Sequence, residues 1–220
     1  MTRPLREEVD ERIDVGALTL SVLRPRDAES LIDEEAFDAD EFLPYWAEVW
    51  PSGVALARHV AGLELAGLRV LELGCGLGLP SLAAGLGGAD VLATDWAEDA
   101  LELLRRNAAR NGVAVRTGVL RWEEPDTLAG ASFDLVLAAD VLYEGRNVAP
   151  LLALLDRTVG PGGVALVSDP GRSHAGAFFA AARRGGWKVD ALPAPELTRG
   201  AVSRLTRGPG RPGALRSSDG

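Results

Sequence analysis

The residues best suited to chemistry fall in a few short segments: Glu72-Leu73-Gly74-Cys75-Gly76-Leu77-Gly78, Thr94-Asp95-Trp96, Ala138-Ala139-Asp140-Val141-Leu142-Tyr143, and the aromatic run from Tyr45 to Trp50. Glycines at 74, 76 and 78 make a turn that a ligand can approach closely, at the mouth of a following helix. A dinucleotide-binding fingerprint would need glycine at 79, where the chain has Leu79, so the spacing speaks against a pyrophosphate ligand. Glu72 points the same way, because a carboxylate just ahead of the turn suits the ammonium of an amino-acid cofactor and repels a phosphate. About twenty residues on, Asp95 stands where an acid accepts hydrogen bonds from both hydroxyls of a ribose. A plain structural turn, and an aspartate that only caps the next helix, remain the alternative readings of these residues.

These segments need a scaffold that brings them to one edge. Arg69 to Leu73, Asp90 to Thr94, Val113 to Leu120, Phe133 to Ala139 and Val164 to Ser168 read as strands. They alternate with helical patterns at Val54 to Leu63, Leu79 to Leu86, Glu98 to Arg110, Val148 to Thr158 and Ala175 to Arg184. Such alternation predicts an α/β fold, a Rossmann-like, doubly wound and mostly parallel seven-stranded sheet with helices on both faces. Trp187 to Leu192 and Ala201 to Thr206 lack an intervening helix and predict an antiparallel hairpin at one edge. Met1 to Arg12 is charged and reads as loose, and Ala17 to Leu23 as a strand or part of a hairpin. Asp27 to Glu41 reads as a solvated acidic stretch that could instead dock a basic surface. The expected organisation is an N-terminal extension over 1–41, one domain over 42–206 and a disordered tail over 207–220.

Composition narrows the classes. The 220 residues carry a formal net charge of −9, which argues against a nucleic-acid partner because phosphates call for a basic footprint. No apolar run approaches the roughly 18–20 residues of a membrane span, and the charged N-terminus lacks a signal-peptide core. No membrane partner is expected, and cytoplasmic residence is. One cysteine, Cys75, and two histidines exclude an internal disulfide and disfavour a protein-built metal site. Nothing in the sequence sets an oligomeric state.

Taken together, Glu72 to Gly78 and Asp95 resemble the class I, seven-stranded S-adenosylmethionine (AdoMet)-dependent methyltransferases, over about residues 42 to 206. The resemblance implies that Gly74 to Gly78 curve round the methionine part of AdoMet, that Asp95 holds the ribose, and that Trp122 packs on the adenine. Arg121 stands where relatives often carry an acid. Ala138 and Trp96 join the cofactor set. Asp140-Val141-Leu142-Tyr143 looks like the D/E-x-x-Y/F signature of the seven-stranded protein-lysine methyltransferases. Leu43 to Ala47 with Trp50-Pro51-Ser52-Gly53 resembles the P-F-W-A-x-x-W-P-G pattern of the electron-transfer flavoprotein β-subunit lysine methyltransferases, with Tyr45 for Phe and Ser52 for Gly. Asp169-Pro170-Gly171-Arg172 also fits that branch.

The implied activity is methyl transfer from AdoMet to a lysine of a protein substrate, such as the electron-transfer flavoprotein β subunit or a ribosomal protein. Asp140 would orient the incoming amine and Tyr143 wall its channel, with Trp46 and Trp50 at the cofactor mouth. An aspartate with a usual pKa near ~3.9 is a poor base for an amine near ~10.4, so orientation rather than proton abstraction is the expected role. The competing readings are a small-molecule amine methyltransferase of the nicotinamide N-methyltransferase kind and a non-catalytic AdoMet-binding subunit.

Overall fold

The computed structural model describes residues 7–28, 44–124 and 128–208. A hairpin comes first, β1 (Glu8–Val15) and β2 (Leu18–Pro25), followed by a 3-10 turn at Tyr45–Ala47 and helix α1 (Pro51–Ala61). Strand and helix then alternate: β3 (Arg69–Leu73), α2 (Leu79–Leu86), β4 (Asp90–Asp95), α3 (Glu98–Arg110), β5 (Arg116–Val119) and β6 (Phe133–Ala139). The rest comprises α4 (Val148–Thr158), β7 (Val159–Asp169), α5 (Ala175–Arg184), β8 (Lys188–Leu192) and β9 (Ala201–Thr206). The main sheet runs β5-β4-β3-β6-β7-β9-β8. It is parallel from β5 to β7, and β9 is antiparallel to both its neighbours. The chain winds outward in opposite directions from β3 and β6, so their carboxyl ends form the crevice where open α/β sheets bind ligands.

Period-two alternation divides the core. Val70, Leu135, Leu137, Val164 and Leu166 face the cluster shared with α1, α2 and α3. Leu71, Val136, Ala138, Ala165 and Val167 face α4 and α5. Both faces of the central strands are covered, which is why the sequence of β6 has no polar stripe.

Three expectations change. Residues 8–12 are strand rather than loose chain: Ile13, Val15, Leu20 and Val22 of the hairpin are buried in the cluster that holds α1 to α3. The hairpin is tied down by two asparagines one turn apart on α3. Asn107 accepts from Leu23 N–H at 2.7 Å and donates to its carbonyl at 3.0 Å, and Asn111 does the same for Ser21 at 3.0 and 2.8 Å. The side-chain amides thus replace a neighbouring strand for alternate residues of β2. Secondly, α1 starts at Pro51 rather than Val54, because proline fits a first helical turn; Ser52 thereby lies in the helix. Thirdly, β7 is longer than Val164 to Ser168 and absorbs Pro161-Gly162-Gly163, with its register to β6 shifted near Phe133. Most of the acidic stretch and of the tail expectation fall outside the described residues.

Candidate active site

A cavity of about 380 Å³ opens at the carboxyl ends of β3, β4 and β6, within the ~300–1,000 Å³ range of small-molecule sites. Its floor is the turn after β3. Gly74, Gly76 and Gly78 all have positive φ (68°, 49° and 74°), a region that costs other residues roughly 1–2 kcal/mol. At Gly74 a Cβ would also lie 3.0 Å from Val141 Cγ1 and 3.5 Å from Trp122 Cζ2, so glycine keeps the cavity open between those walls. The turn is stitched to β4: Cys75 N–H donates to the Thr94 carbonyl at 2.9 Å, and the Thr94 hydroxyl to the Glu72 carbonyl at 2.7 Å.

Two buried carboxylates flank the turn. Asp95 Oδ2 accepts from Gly76 N–H at 2.9 Å and Oδ1 from Ala97 N–H at 3.0 Å. Burial still outweighs these donors and raises its pKa. The residue that caps α3 is Ala97, without a side-chain cap bond, so Asp95 holds its own turn rather than capping the helix. Glu72, at the end of β3, accepts from the backbone N–H of Ser81 at 2.9 Å and from its hydroxyl. Complete burial pushes its pKa up to about 8 despite those bonds. At neutral pH this carboxyl is held mostly in its protonated form.

Asp140 terminates β6. It is the one non-glycine residue with positive φ (58°) among the described residues, and its N–H donates to the Ser168 carbonyl at 2.9 Å, extending the β6–β7 ladder. The carboxylate is buried, and both oxygens are engaged: Oδ1 accepts from Arg172 Nε at 2.7 Å and Oδ2 from the Ser52 hydroxyl at 3.3 Å. Arg172 lies over the Trp50 ring, its Cζ 5.5 Å from the centroid. The Trp50 indole N–H donates to the Tyr45 carbonyl at 2.8 Å, and the Tyr45 ring lies 5.6 Å from that of Tyr143. Tyr45 and Tyr143 are 44% and 37% exposed, so two aromatic rings lining the cavity are open to solvent. Burial raises the pKa of Tyr143, leaving a neutral phenol at physiological pH.

The structure gathers Trp50, Glu72, Gly74, Gly76, Gly78, Asp95, Trp96, Trp122, Asp140 and Tyr143 around this one cavity, with Trp46. It does not bring Ala138 there. The Ala138 side chain lies on the opposite face of β6, fully buried in the α4–α5 cluster, and the alternation of the strand puts Ala139 in the lining instead. Arg172, Ser52 and Ser81 are the participants to which sequence reasoning gave no role. Ser52 had one available signal: it replaces the glycine of the resembled pattern, and only a side chain there can reach Asp140.

Several solved methyltransferases share this fold. One is the TehB-like SAM-dependent methyltransferase from Corynebacterium glutamicum, with a TM-score of 0.58 at 21% identity, covering 79% of this chain and 94% of that one. Fold and cavity together define the chain as a class I methyltransferase architecture. Residues 44–184 match the lysine methyltransferase family, and the chain belongs to that family. The cofactor of this family is AdoMet, and the buried Glu72 and Asp95 beside a glycine turn fit its ammonium and ribose. The electron transfer flavoprotein beta subunit lysine methyltransferase of Danio rerio is 35% identical over 138 residues, 60% of this chain and 52% of the relative. The histone-arginine methyltransferase METTL23 of Xenopus laevis is 38% identical over 115 residues, 49% of each chain. This chain thus spans about half the length of these relatives. Among the described residues no helix is long and apolar enough to cross a membrane.

Proposed function

We propose that this protein transfers a methyl group from AdoMet to the side-chain amine of lysine in a protein. One observation carries the reading: the cavity that holds the glycine turn, Glu72 and Asp95 also contains Asp140 and two solvent-exposed tyrosine rings. When bound, AdoMet supplies a methyl already activated by its sulfonium, so the chain has to position an amine in line and keep water away. Glu72 takes the ammonium of AdoMet, Asp95 its ribose hydroxyls, and Trp122 the adenine. Gly74 to Gly78 let the methionine part approach the backbone, and Trp50 and Trp96 line the rest. At the acceptor side Asp140 accepts a hydrogen bond from the incoming amine, and Tyr143 walls its path.

Lysine is preferred as acceptor on the strength of the family and of the flavoprotein-directed relative. The electron-transfer flavoprotein β subunit and ribosomal proteins are the acceptors to try first, in the cytoplasm. The test is incubation of the protein with methyl-labelled AdoMet and host lysate, with and without protease, followed by acid hydrolysis of labelled bands. Labelled Nε-methyl-lysine from a discrete protein is the expected product. Label confined to protease-resistant small molecules would replace the protein acceptor by a small amine, and labelled methyl-arginine would replace lysine.

A further inference from the structure

Methyl transfer needs a neutral amine, yet a lysine with a pKa near ~10.4 is overwhelmingly protonated at neutral pH. A lone buried carboxylate beside that amine would hold the proton on it and oppose the reaction. The environment of Asp140 answers this problem. The geometry points to Arg172 as a positioning residue that compensates the charge of Asp140, so that the acceptor amine is received as the free base. The inference rests on the amine-methylation reading.

Arg172 is held as part of the site rather than as a loose surface side chain. Its backbone N–H and that of Gly171 both donate to Asp169 Oδ1 at 2.7 Å. Its Nε donates to Asp140 Oδ1 at 2.7 Å, and its guanidinium covers Trp50. With Oδ1 taken by a cation, Oδ2 retains acceptor capacity beside the long 3.3 Å bond from Ser52. A neutral amine can donate there, while an ammonium gains little from a carboxylate already paired and is repelled by the guanidinium.

Other charged or titratable groups surround the pair. Asp169 lies at the end of β7, where burial, ahead of the Asp140 charge, pushes its carboxyl up. The Arg172 side chain is bonded through Nε to Asp140 Oδ1, while Asp169 Oδ1 takes the backbone N–H groups of Gly171 and Arg172. Tyr45 stands in the 3-10 turn; Tyr143 and Glu144 follow β6; Glu72 and Asp95 lie at the ends of β3 and β4. Glu48 and Arg146 also line the cavity, and the His174 ring sits by Gly145. Of the cationic groups around the cavity, Arg172 is the one whose Nε donates to Asp140 Oδ1, at 2.7 Å.

The experiment uses the full chain saturated with S-adenosylhomocysteine, probed with n-butylamine and n-butanol by ligand-observed NMR from pH 7 to pH 10. Wild type is expected to bind butanol at pH 7 at least as well as the protonated amine, with amine affinity rising about tenfold or more toward pH 10. Arg172→Gln should reverse that order, binding butylammonium about tenfold more tightly at pH 7 than wild type does, and Asp140→Asn added to it should remove the gain. Arg172→Lys, which keeps the charge, should behave like wild type. On the acceptor protein, the acid limb of kcat/KM should move about one pH unit upward in Arg172→Gln and stay in place in Arg172→Lys. A wild-type protein that prefers butylammonium at pH 7 overturns the inference, and needs no variant to show it. So does an Arg172→Gln protein that folds yet binds butylammonium no better. Because the probe contains no protein, failure to label any lysate protein would overturn the functional reading and leave this result standing.

Discussion

Replacing Glu72 by glutamine should abolish a proton release that accompanies cofactor binding. Burial raises the carboxyl from its usual 4.5 to about 8 in the cavity. At ~1.36 kcal/mol per pH unit, ionising it there costs about 5 kcal/mol relative to water. At pH 7 roughly nine folded molecules in ten therefore carry the proton. If the ammonium of AdoMet docks on Glu72, that proton must leave. Wild type should release most of a Glu72 proton on binding at pH 7, and its Kd should fall about tenfold per unit from pH 6, flatten near pH 8 and rise again above it, where the AdoMet ammonium loses its own proton. Calorimetry at pH 7 in phosphate and in Tris, whose ionisation enthalpies differ, reads the protons directly. The ammonium of AdoMet itself titrates near ~7.7–8.0, so the comparison with Glu72→Gln isolates the side chain; the variant should release no such proton and bind more weakly at pH 8. Wild-type binding without a release that Glu72→Gln lacks would refute the reasoning. The same shift has a sign for stability. The folded state holds this proton more tightly than the unfolded one, so stability without cofactor is greatest below pH 4.5 as far as this group is concerned, and is lost as pH rises toward 8. Adding AdoMet at pH 8 should restore Tm.

The other predictions concern the scaffold and the remaining cofactor contact. Asn107→Ala leaves Leu23 N–H and C=O unpaired and should cost about 1–3 kcal/mol for each group that stays dry, read by urea unfolding. Arg106→Ala removes only the exposed pair with Glu8 and should cost under ~1 kcal/mol in the same assay. Gly74→Ala, in a left-handed conformation and against Val141, should lose about 1–2 kcal/mol of stability and weaken AdoMet binding in equilibrium dialysis. Asp95→Ala should weaken AdoMet binding about tenfold to a hundredfold, the worth of one hydrogen bond to a charged group.

Periodic features were legible and long-range pairings were not. The alternation of β3, β4, β6 and β7 with helices, and a glycine turn bracketed by Glu72 and Asp95, locate the crevice from local pattern alone. The β1 strand escaped because Glu8, Asp10, Arg12 and Asp14 dominate its composition, while its buried contribution is only Ile13 and Val15. Its partners on α3 lie 98 to 100 positions away. Asp140 and Tyr143 could be picked by type and place, but the pairing of Asp140 with Arg172 spans 32 positions and that with Ser52 spans 88. No spacing rule announces such contacts. Ala138 failed for a local reason, since a one-residue choice on a strand decides which face a side chain meets. Glu72 was found by position, yet its protonated leaning follows from complete burial, which only the packed structure reveals.

The role of Asp140 is tested most directly by a side-by-side measurement of AdoMet affinity and methyl transfer in wild type and Asp140→Asn. Cofactor affinity within about twofold of wild type, with transfer to the acceptor reduced at least ~100-fold, is the predicted outcome. Transfer at the wild-type rate in Asp140→Asn would contradict the assignment of this edge of the sheet to the acceptor amine.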